Sequence, residues 1–422
     1  MTHEMKSKSA VRIFLCLTAF FLAVNFISSF SGVAMAGRSA ALDKALLRWP
    51  MMINAVKYNI TINGGSTAVP RSRTYKPVYC PAIEVDLSWL GSDRNDVTWS
   101  VEGIDVDGGS VGAINNQPLS KAVLHPEAPL VFDEYAEMSY VPVYPVYSWA
   151  TVLNASSYEV ELWRRGEGGD KRVRHYYTYE RTLYDETPLN SGGAYYWRVR
   201  ALDGGGRRYS EWSEPREWVV TSPSPVVAIG DSLTHGGGAI SVPPSMLMYC
   251  WESYSGVAIK NIGRSGDSTS DMIQRFSRDV LPFAPKVAVI LGGVNDIRMG
   301  EPAGDVIANL STLMNMCESN GITPVLVTIP PIEPERMASM EEIETPAGGW
   351  RSQLEMVNDW IRSQKYYVDV APYLTDKDGN LKKNMTSDGL HPDRDAKKYI
   401  GETIGAYLHE KFFKEGRGNL KK

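Results

Sequence analysis

Val226-Val227-Ala228-Ile229-Gly230-Asp231-Ser232-Leu233-Thr234-His235-Gly236 marks a change in the character of the chain. A short apolar run ends on glycine and gives way at once to Asp, Ser, Thr and His. Such a run without alternation predicts a strand buried on both faces. Four more runs follow, Ala258–Ile262, Val287–Leu291, Thr323–Ile329 and Tyr366–Val370, separated by longer stretches with helical spacing. The clearest helix carries Tyr399, Ile400, Ile404, Tyr407, Leu408 and Phe412 on one apolar stripe. Alternating strands and helices predict a three-layer α/β/α domain over residues 226–415, built on a parallel five-stranded sheet. Sheets of this kind place their sites just beyond the carboxyl ends of the strands.

Those ends are where the chemistry-bearing residues fall. Gly230-Asp231-Ser232-Leu233-Thr234-His235-Gly236 follows the first run, Asn261-Ile262-Gly263-Arg264-Ser265-Gly266-Asp267 the second, and Gly292-Gly293-Val294-Asn295-Asp296 the third. Ser387-Asp388-Gly389-Leu390-His391-Pro392 precedes the last helix. Four blocks in this order resemble the SGNH (GDSL) hydrolase family, over just under half the chain. The resemblance implies Ser232 as nucleophile, His391 as its base with Asp388 to orient it, and an oxyanion hole from Ser232, Gly266 and Asn295.

The residues support the same roles by themselves. A serine hydroxyl is a weak nucleophile near neutral pH and needs an adjacent base. Histidine is suited to that task. Asp388, three residues before His391, can fix the imidazole tautomer, although a backbone carbonyl serves this purpose in some sites. Glycine at 266 permits close approach of the chain to a substrate. Asp231 and Asp296 read as loop braces that accept backbone N–H groups. His235 reads as a loop or substrate contact. Arg264 reads as a solvated arginine, with an anionic substrate as its other partner.

Upstream, residues 40–222 hold a duplication with a period near 100. Trp49, Asn54, Ala55 and Tyr58 recur as Trp149, Asn154, Ala155 and Tyr158, and Trp99-Ser100-Val101 recurs as Trp197-Arg198-Val199. Alternating Ile60 and Ile62, then Val160 and Leu162, predict half-buried strands. Two β-sandwich repeats are expected, at 40–127 and 128–222. The second resembles a fibronectin type III domain through Tyr158-Glu159-Val160, the Trp197 strand and Ser210-Glu211-Trp212-Ser213-Glu214-Pro215; the first matches less well. The aromatic residues either fill the sandwich cores or form a sugar-binding face. Gly108-Gly109-Ser110-Val111-Gly112 has the G-x-S-x-G pattern but follows an Asp-Gly turn, and is expected to be a loop. Arg164, Arg165, Lys171, Arg172 and Arg174, interrupted by Glu167 and Asp170, predict a solvated hairpin. Thr221-Ser222-Pro223-Ser224-Pro225 reads as a stiff polar linker.

At the start, Lys6, Lys8 and Arg12 precede an apolar run from Ile13 to Ala23 and then Ala34-Met35-Ala36. This pattern predicts a signal peptide over 1–36 and export to the periplasm, cell surface or medium; an uncleaved anchor is the other reading. No integral span is expected after cleavage. Cys80, Cys250 and Cys317 remain, so at most one disulfide can form, with its pairing open. The chain has 422 residues, 22% charged, with a net charge of −5. That balance is a poor match to nucleic acid or other polyanions. No Walker A, H-E-x-x-H or C-x-x-C pattern calls for ATP or zinc, and no cofactor or metal is expected.

Together these features predict an exported serine esterase acting on short acyl esters, including acetyl groups on carbohydrate. A lysophospholipase or thioesterase is the second reading, with Val242, Met246, Leu247, Met248 and Trp251 of the Gly237–Tyr254 insertion lining an acyl groove rather than forming a buried helix. A catalytically silent glycan- or surface-binding protein is the third. Oligomeric state is open at this stage.

Overall fold

The computed structural model describes residues 43–66, 69–91, 96–124, 127–238, 242–340 and 343–413. The expected signal peptide over 1–36 lies outside the described residues. No helix among them is long and apolar enough to cross a membrane.

The duplication folds as two sandwiches of four strands against three. In the first, β1 (Lys44–Arg48), β2 (Lys57–Ser66), β3 (Val69–Val78), β4 (Ala82–Asp86), β5 (Thr98–Ile104), β6 (Ser110–Pro118) and β7 (Val123–Leu124) form sheets of order β3-β2-β5-β6 and β4-β1-β7. The second contains β8 (Val131–Phe132), β9 (Val146–Trp149), β10 (Ser157–Arg164), β11 (Lys171–Thr178), β12 (Thr182–Tyr184), β13 (Gly193–Leu202) and β14 (Arg216–Val220). Its sheets are β11-β10-β13-β14 and β12-β9-β8. Equivalent residues pair: Ile62 lies opposite Trp99 and Ile60 opposite Val101, as Leu162 lies opposite Trp197 and Val160 opposite Val199. Trp49, Tyr58, Trp99, Trp149, Tyr158 and Trp197 are all buried in the cores.

Two local expectations need correction. Only Asp105–Gly109 is a turn, and Ser110 already begins β6; no helix follows, so the G-x-S-x-G pattern makes no nucleophile elbow. The basic stretch does form the β10–β11 hairpin, but it is not uniformly solvated. Arg174 is part-buried against the buried Asp185, which also accepts from the Tyr147 and Tyr176 hydroxyls at 2.9 and 2.8 Å. A buried carboxylate is tolerated because it is paired and hydrogen-bonded.

The α/β domain has five parallel strands in the order β16-β15-β17-β18-β19. They are β15 (Val226–Gly230), β16 (Lys260–Gly263), β17 (Val287–Leu291), β18 (Thr323–Val327) and β19 (Tyr367–Val368). All five predicted runs are therefore strands. Helices α1 (Ser232–His235), α2 (Thr269–Asp279), α3 (Val294–Arg298), α4 (Ala303–Ser319), α5 (Pro334–Ala338), α6 (Trp350–Arg362), α7 (Ala371–Leu374) and α8 (Arg394–Leu408) lie between and after them. From β15 the chain first steps outward to β16, then crosses back to β17 on the other side. The connections leave β15 in opposite directions, opening a crevice at its carboxyl end.

The domains are not beads on a string. The second sandwich and the α/β domain share one continuous apolar core, from Val131 and Tyr144 through Trp218 to Met272, Phe276 and Leu408. The expected free linker is docked: Ser224 N–H donates to Phe283 O at 2.8 Å, and Ser222 Oγ to Pro282 O at 2.8 Å. The stretch Val141–Tyr144 lies along the edge strand β16, where Val143 N–H donates to Asn261 O at 2.9 Å and Lys260 Nζ to Val141 O at 3.1 Å. A segment laid along an edge strand in this way hinders its pairing with another chain.

The first sandwich keeps its own core around Leu47, Trp49, Ile60, Ile62 and Trp99. It meets the α/β domain through Met51, which packs on Val242, Met246 and Tyr249 of the insertion, and through an ion pair between Asp107 and Arg336. Cys80, Cys250 and Cys317 are buried free thiols.

Candidate active site

Strand β15 ends on Gly230 because a side chain there would collide with Leu291 O and Thr234 Oγ1; a Cβ would stand 2.0 and 2.4 Å from them. The chain then turns directly into α1, with Asp231 as its cap. Asp231 Oδ1 accepts from Leu233 N–H at 2.9 Å. Ser232 is the first residue of this single turn. The carbonyls at the other end of the turn are satisfied by Lys397 Nζ on Leu233 O and Asn261 Nδ2 on Thr234 O, both at 2.6 Å. A helix this short persists only with such outside partners.

His391 arrives from the loop before α8. Its Nε2 stands 3.1 Å from Ser232 Oγ, and its Nδ1 stands 2.7 Å from Asp388 Oδ2. Asp388 Oδ1 accepts the backbone N–H groups of Leu390 and His391 at 2.9 and 2.8 Å. Burial pushes the Asp388 carboxyl up, but the facing His391 and these two N–H donors outweigh it and hold it below its ordinary value. The loop is drawn closed by Thr386 Oγ1, which accepts from Gly389 N–H at 2.9 Å and donates to His391 O at 2.9 Å.

Gly266 follows β16 with φ +86, a left-handed conformation that favours glycine, and a Cβ there would meet nothing within 4 Å. Backbone geometry, not crowding, is what requires glycine at this position. Asn295 lies in the first turn of α3. Its Nδ2 donates to Asp267 O at 3.0 Å, and its Oδ1 accepts from Arg298 Nε at 3.0 Å. Arg298 therefore sets which end of the amide is the donor, leaving the second N–H of Nδ2 for a ligand. Ser232, Gly266 and Asn295 thus occupy three neighbouring strand ends, β15, β16 and β17, with Asp388 and His391 brought to the first of them.

Several residues behind the site had escaped sequence reasoning. Arg275 is buried, pairs with Asp267, and donates to Ile262 O at 2.7 Å and Gly230 O at 3.0 Å, tying together the ends of β15 and β16. Its signal was present: Met272, Arg275, Phe276 and Asp279 share the buried stripe of α2, and charges on such a stripe imply an internal ion pair. Lys397 carried the same signal, standing three and seven residues before Ile400 and Ile404 on the buried stripe of α8, whereas Arg298 carried none.

The four minor expectations divide. Asp296 does brace a loop, accepting from Thr269 N–H at 3.0 Å and Thr269 Oγ1 at 2.6 Å, and Asp231 does the same for Leu233. Burial pushes the Asp231 carboxyl up to about 7. Arg264 is part-exposed and lies 3.6 Å from Asp267 and 3.9 Å from Glu186. His235 is 3% exposed, so it is not placed to touch a substrate.

The one metal-compatible cluster among the described residues is Glu159, Glu161 and His175, on the outer sheet of the second sandwich. Its carboxylates are already matched by Arg200, Arg172 and Arg198 at 2.6, 2.7 and 2.8 Å, which leaves little charge for a cation.

A chain with these elements finds relatives on both sides of residue 223. Residues 228–398 match the model of the GDSL-like lipase/acylhydrolase family, and residues 144–222 match that of a Rha78A-like, N-terminal immunoglobulin domain. An arylesterase from Vibrio mimicus is 24% identical over 191 residues, which span 43% of this chain and 87% of that protein. Among solved structures, a lipase/acylhydrolase from Enterococcus faecalis shows 21% identity and a TM-score of 0.37, covering 44% of this chain and 96% of its own. An acetyl xylan esterase from Geobacillus stearothermophilus shows 17% identity and a TM-score of 0.34, covering 44% and 95%.

Proposed function

We propose, from the match of residues 228–398 to the GDSL-like lipase/acylhydrolase family model, that the chain is an exported serine esterase that removes short acyl groups, acetyl esters on carbohydrate among them. The observation that carries the catalytic part is the hydrogen-bonded line Ser232–His391–Asp388, with Nε2 3.1 Å from the hydroxyl. Asp388 accepts a hydrogen bond from Nδ1–H, so the proton stays on Nδ1 and Nε2 is free to act as base.

In this reading Ser232 Oγ attacks the ester carbonyl while His391 Nε2 takes its proton. The resulting oxyanion receives hydrogen bonds from the N–H of Ser232, the N–H of Gly266 and Asn295 Nδ2. Each such donor typically contributes about 10²–10³ in kcat. As the tetrahedral species collapses, His391 returns the proton to the departing alcohol, leaving an acyl-Ser232 ester. Water then repeats the cycle, with His391 as base, and releases the acid. Every proton is accounted for by the serine, the histidine and water.

Preference for short acyl groups is supported by the insertion. Val242, Met246, Tyr249 and Trp251 are buried, the first three against Met51 and Met248. Tyr249 and Trp251 lie in two short 3₁₀ turns, Leu247–Tyr249 and Trp251–Tyr254, rather than in the expected helix, and the apolar surface of Val242, Met246 and Tyr249 is committed to packing with Met51 and Met248. Carbohydrate as the acyl carrier rests on export and on the sandwich modules, a likeness of architecture rather than a contact.

Purified protein and its Ser232→Ala variant, assayed on nitrophenyl esters of increasing chain length and on acetylated sugars, provide the test. The expected result is fluorophosphonate labelling and turnover in wild type, loss of both in the folded variant, and rates that fall beyond propionyl. Turnover retained by Ser232→Ala would refute the mechanism. Rates that rise with chain length would transfer the enzyme to the lipolytic reading.

A further inference from the structure

The carbonyl of Tyr144, in the second sandwich, lies 2.6 Å from His235 Nε2 in the catalytic domain. A carbonyl can only accept, so the ring proton sits on Nε2 and Nδ1 is left as an acceptor. Nδ1 in turn takes two hydrogen bonds from one residue, the Ser265 backbone N–H at 3.2 Å and the Ser265 hydroxyl at 2.9 Å. Ser265 immediately precedes Gly266. The imidazole is buried, and burial together with the nearby cations Arg275, Lys397 and Arg264 keeps it neutral, down to a pKa of about 4. It therefore presents the same donor and acceptor throughout the working range of an esterase.

We propose that His235 is a positioning residue that carries the placement of the second sandwich into the oxyanion loop, so that the sandwich helps to orient the Gly266 N–H during catalysis. The inference rests on the reading of Gly266 as an oxyanion donor. Its physical basis is the peptide between Ser265 and Gly266. That peptide carries the Gly266 N–H, and a left-handed glycine on one side leaves it free to rotate unless Ser265 is held. His235 holds Ser265 at both its N–H and its hydroxyl, and Tyr144 holds His235. Tyr144 is itself fixed by its hydroxyl on Asp279, by Arg278 Nη2 at 2.7 Å, and by the guanidinium of Arg275 at 5.5 Å from its ring.

The test compares His235→Leu, which fills the volume, with His235→Gln, which restores one donor and one acceptor on a planar group. In the intact chain His235→Leu is expected to lower kcat by about 10–100-fold with KM changed less than about threefold, because a misaimed oxyanion donor acts on the transition state and not on substrate binding. His235→Gln should recover most of that loss. A role in packing alone predicts the opposite order, with Leu at least as active as Gln. Ser265→Ala, which removes only a hydroxyl, supplies a second measurement if His235→Leu fails to fold: a severalfold fall in kcat at unchanged melting temperature is expected. Wild-type kcat in Ser265→Ala together with Gln no better than Leu would overturn the proposal. If Ser232→Ala is inactive while both His235 variants turn over at the wild-type rate, this inference alone fails. If Ser232→Ala is active, the underlying mechanism fails instead.

Discussion

In the first sandwich Trp49 and Tyr58 meet edge to face at 5.3 Å; in the second, Trp149 and Tyr158 meet in the same way at 5.2 Å. The turn between them passes through a left-handed asparagine in both, Asn54 at φ 66 and Asn154 at φ 67. The tyrosine hydroxyl accepts a backbone N–H six residues back in both, from Met52 at 3.2 Å and from Val152 at 2.9 Å. Locally the two copies are one object. Their surroundings differ. The first closes on its own core and touches the catalytic domain at Met51 and Asp107. The second opens its core into that domain and laces it with Val141–Tyr144. The repeated residues build the sandwich, and residues outside the repeat decide what the sandwich is for.

The largest test of that contrast substitutes the same tryptophan in each copy. Trp49→Ala and Trp149→Ala should each cost about 3–5 kcal/mol in the unit that contains them. Calorimetry with parallel activity assays should show Trp49→Ala melting the first sandwich in a separate, earlier step while esterase activity persists. Trp149→Ala should lower the temperature at which activity itself is lost. Activity that disappears with the first sandwich would erase the distinction.

A smaller effect belongs to the joint between the second sandwich and the α/β domain and follows from pH. His235 is held below its ordinary value, at about 4, against about 6.5 in an unfolded chain. Between those values the unfolded chain binds a proton that the folded one refuses, so acid favours unfolding. The stability His235 contributes is complete above about pH 6.5 and is lost as pH falls toward 4, up to about 3 kcal/mol in all. Melting temperatures taken across that window should fall less steeply in His235→Leu than in wild type. Parallel slopes would detach this histidine from the joint between domains.

The smallest effect belongs to the first sandwich. Asp107 and Arg336 form a two-pronged ion pair at 2.9 and 3.1 Å, but Asp107 is mostly exposed. A double-mutant cycle to alanine should give a coupling under about 1 kcal/mol, shrinking as salt is added. A coupling of several kcal/mol would mean that the first sandwich is locked to the catalytic domain as firmly as the second.

How much of this was legible follows the same division. The five strands, the four blocks and the duplication that places Trp49 and Tyr58 against Trp149 and Tyr158 were readable because each is written in local periodicity, in a recurrence or in a motif at a strand end. The join was not. His235 finds Tyr144 at a separation of 91 residues, and Lys260 finds Val141 at 119. Single polar contacts over such distances leave no periodic trace. Thr221–Pro225 has the composition of a free linker, yet Ser224 is buried, because its neighbours Phe283 and Lys286 come from a part of the chain that only the folded sheet brings near. The insertion misled in a milder way: its apolar residues were recognised as a group, but whether they face a ligand or another domain depends on Met51, far upstream.

The backbone seam between Val143 and Asn261 also limits how the molecule can be divided. A fragment trimmed to begin at Pro223 would keep all four motif blocks and lose the cover on its outermost strand, exposing a ready template for a second copy of itself. The smallest piece that keeps that strand covered therefore starts near residue 128, and anyone grafting the α/β domain onto another carrier must move the second sandwich with it.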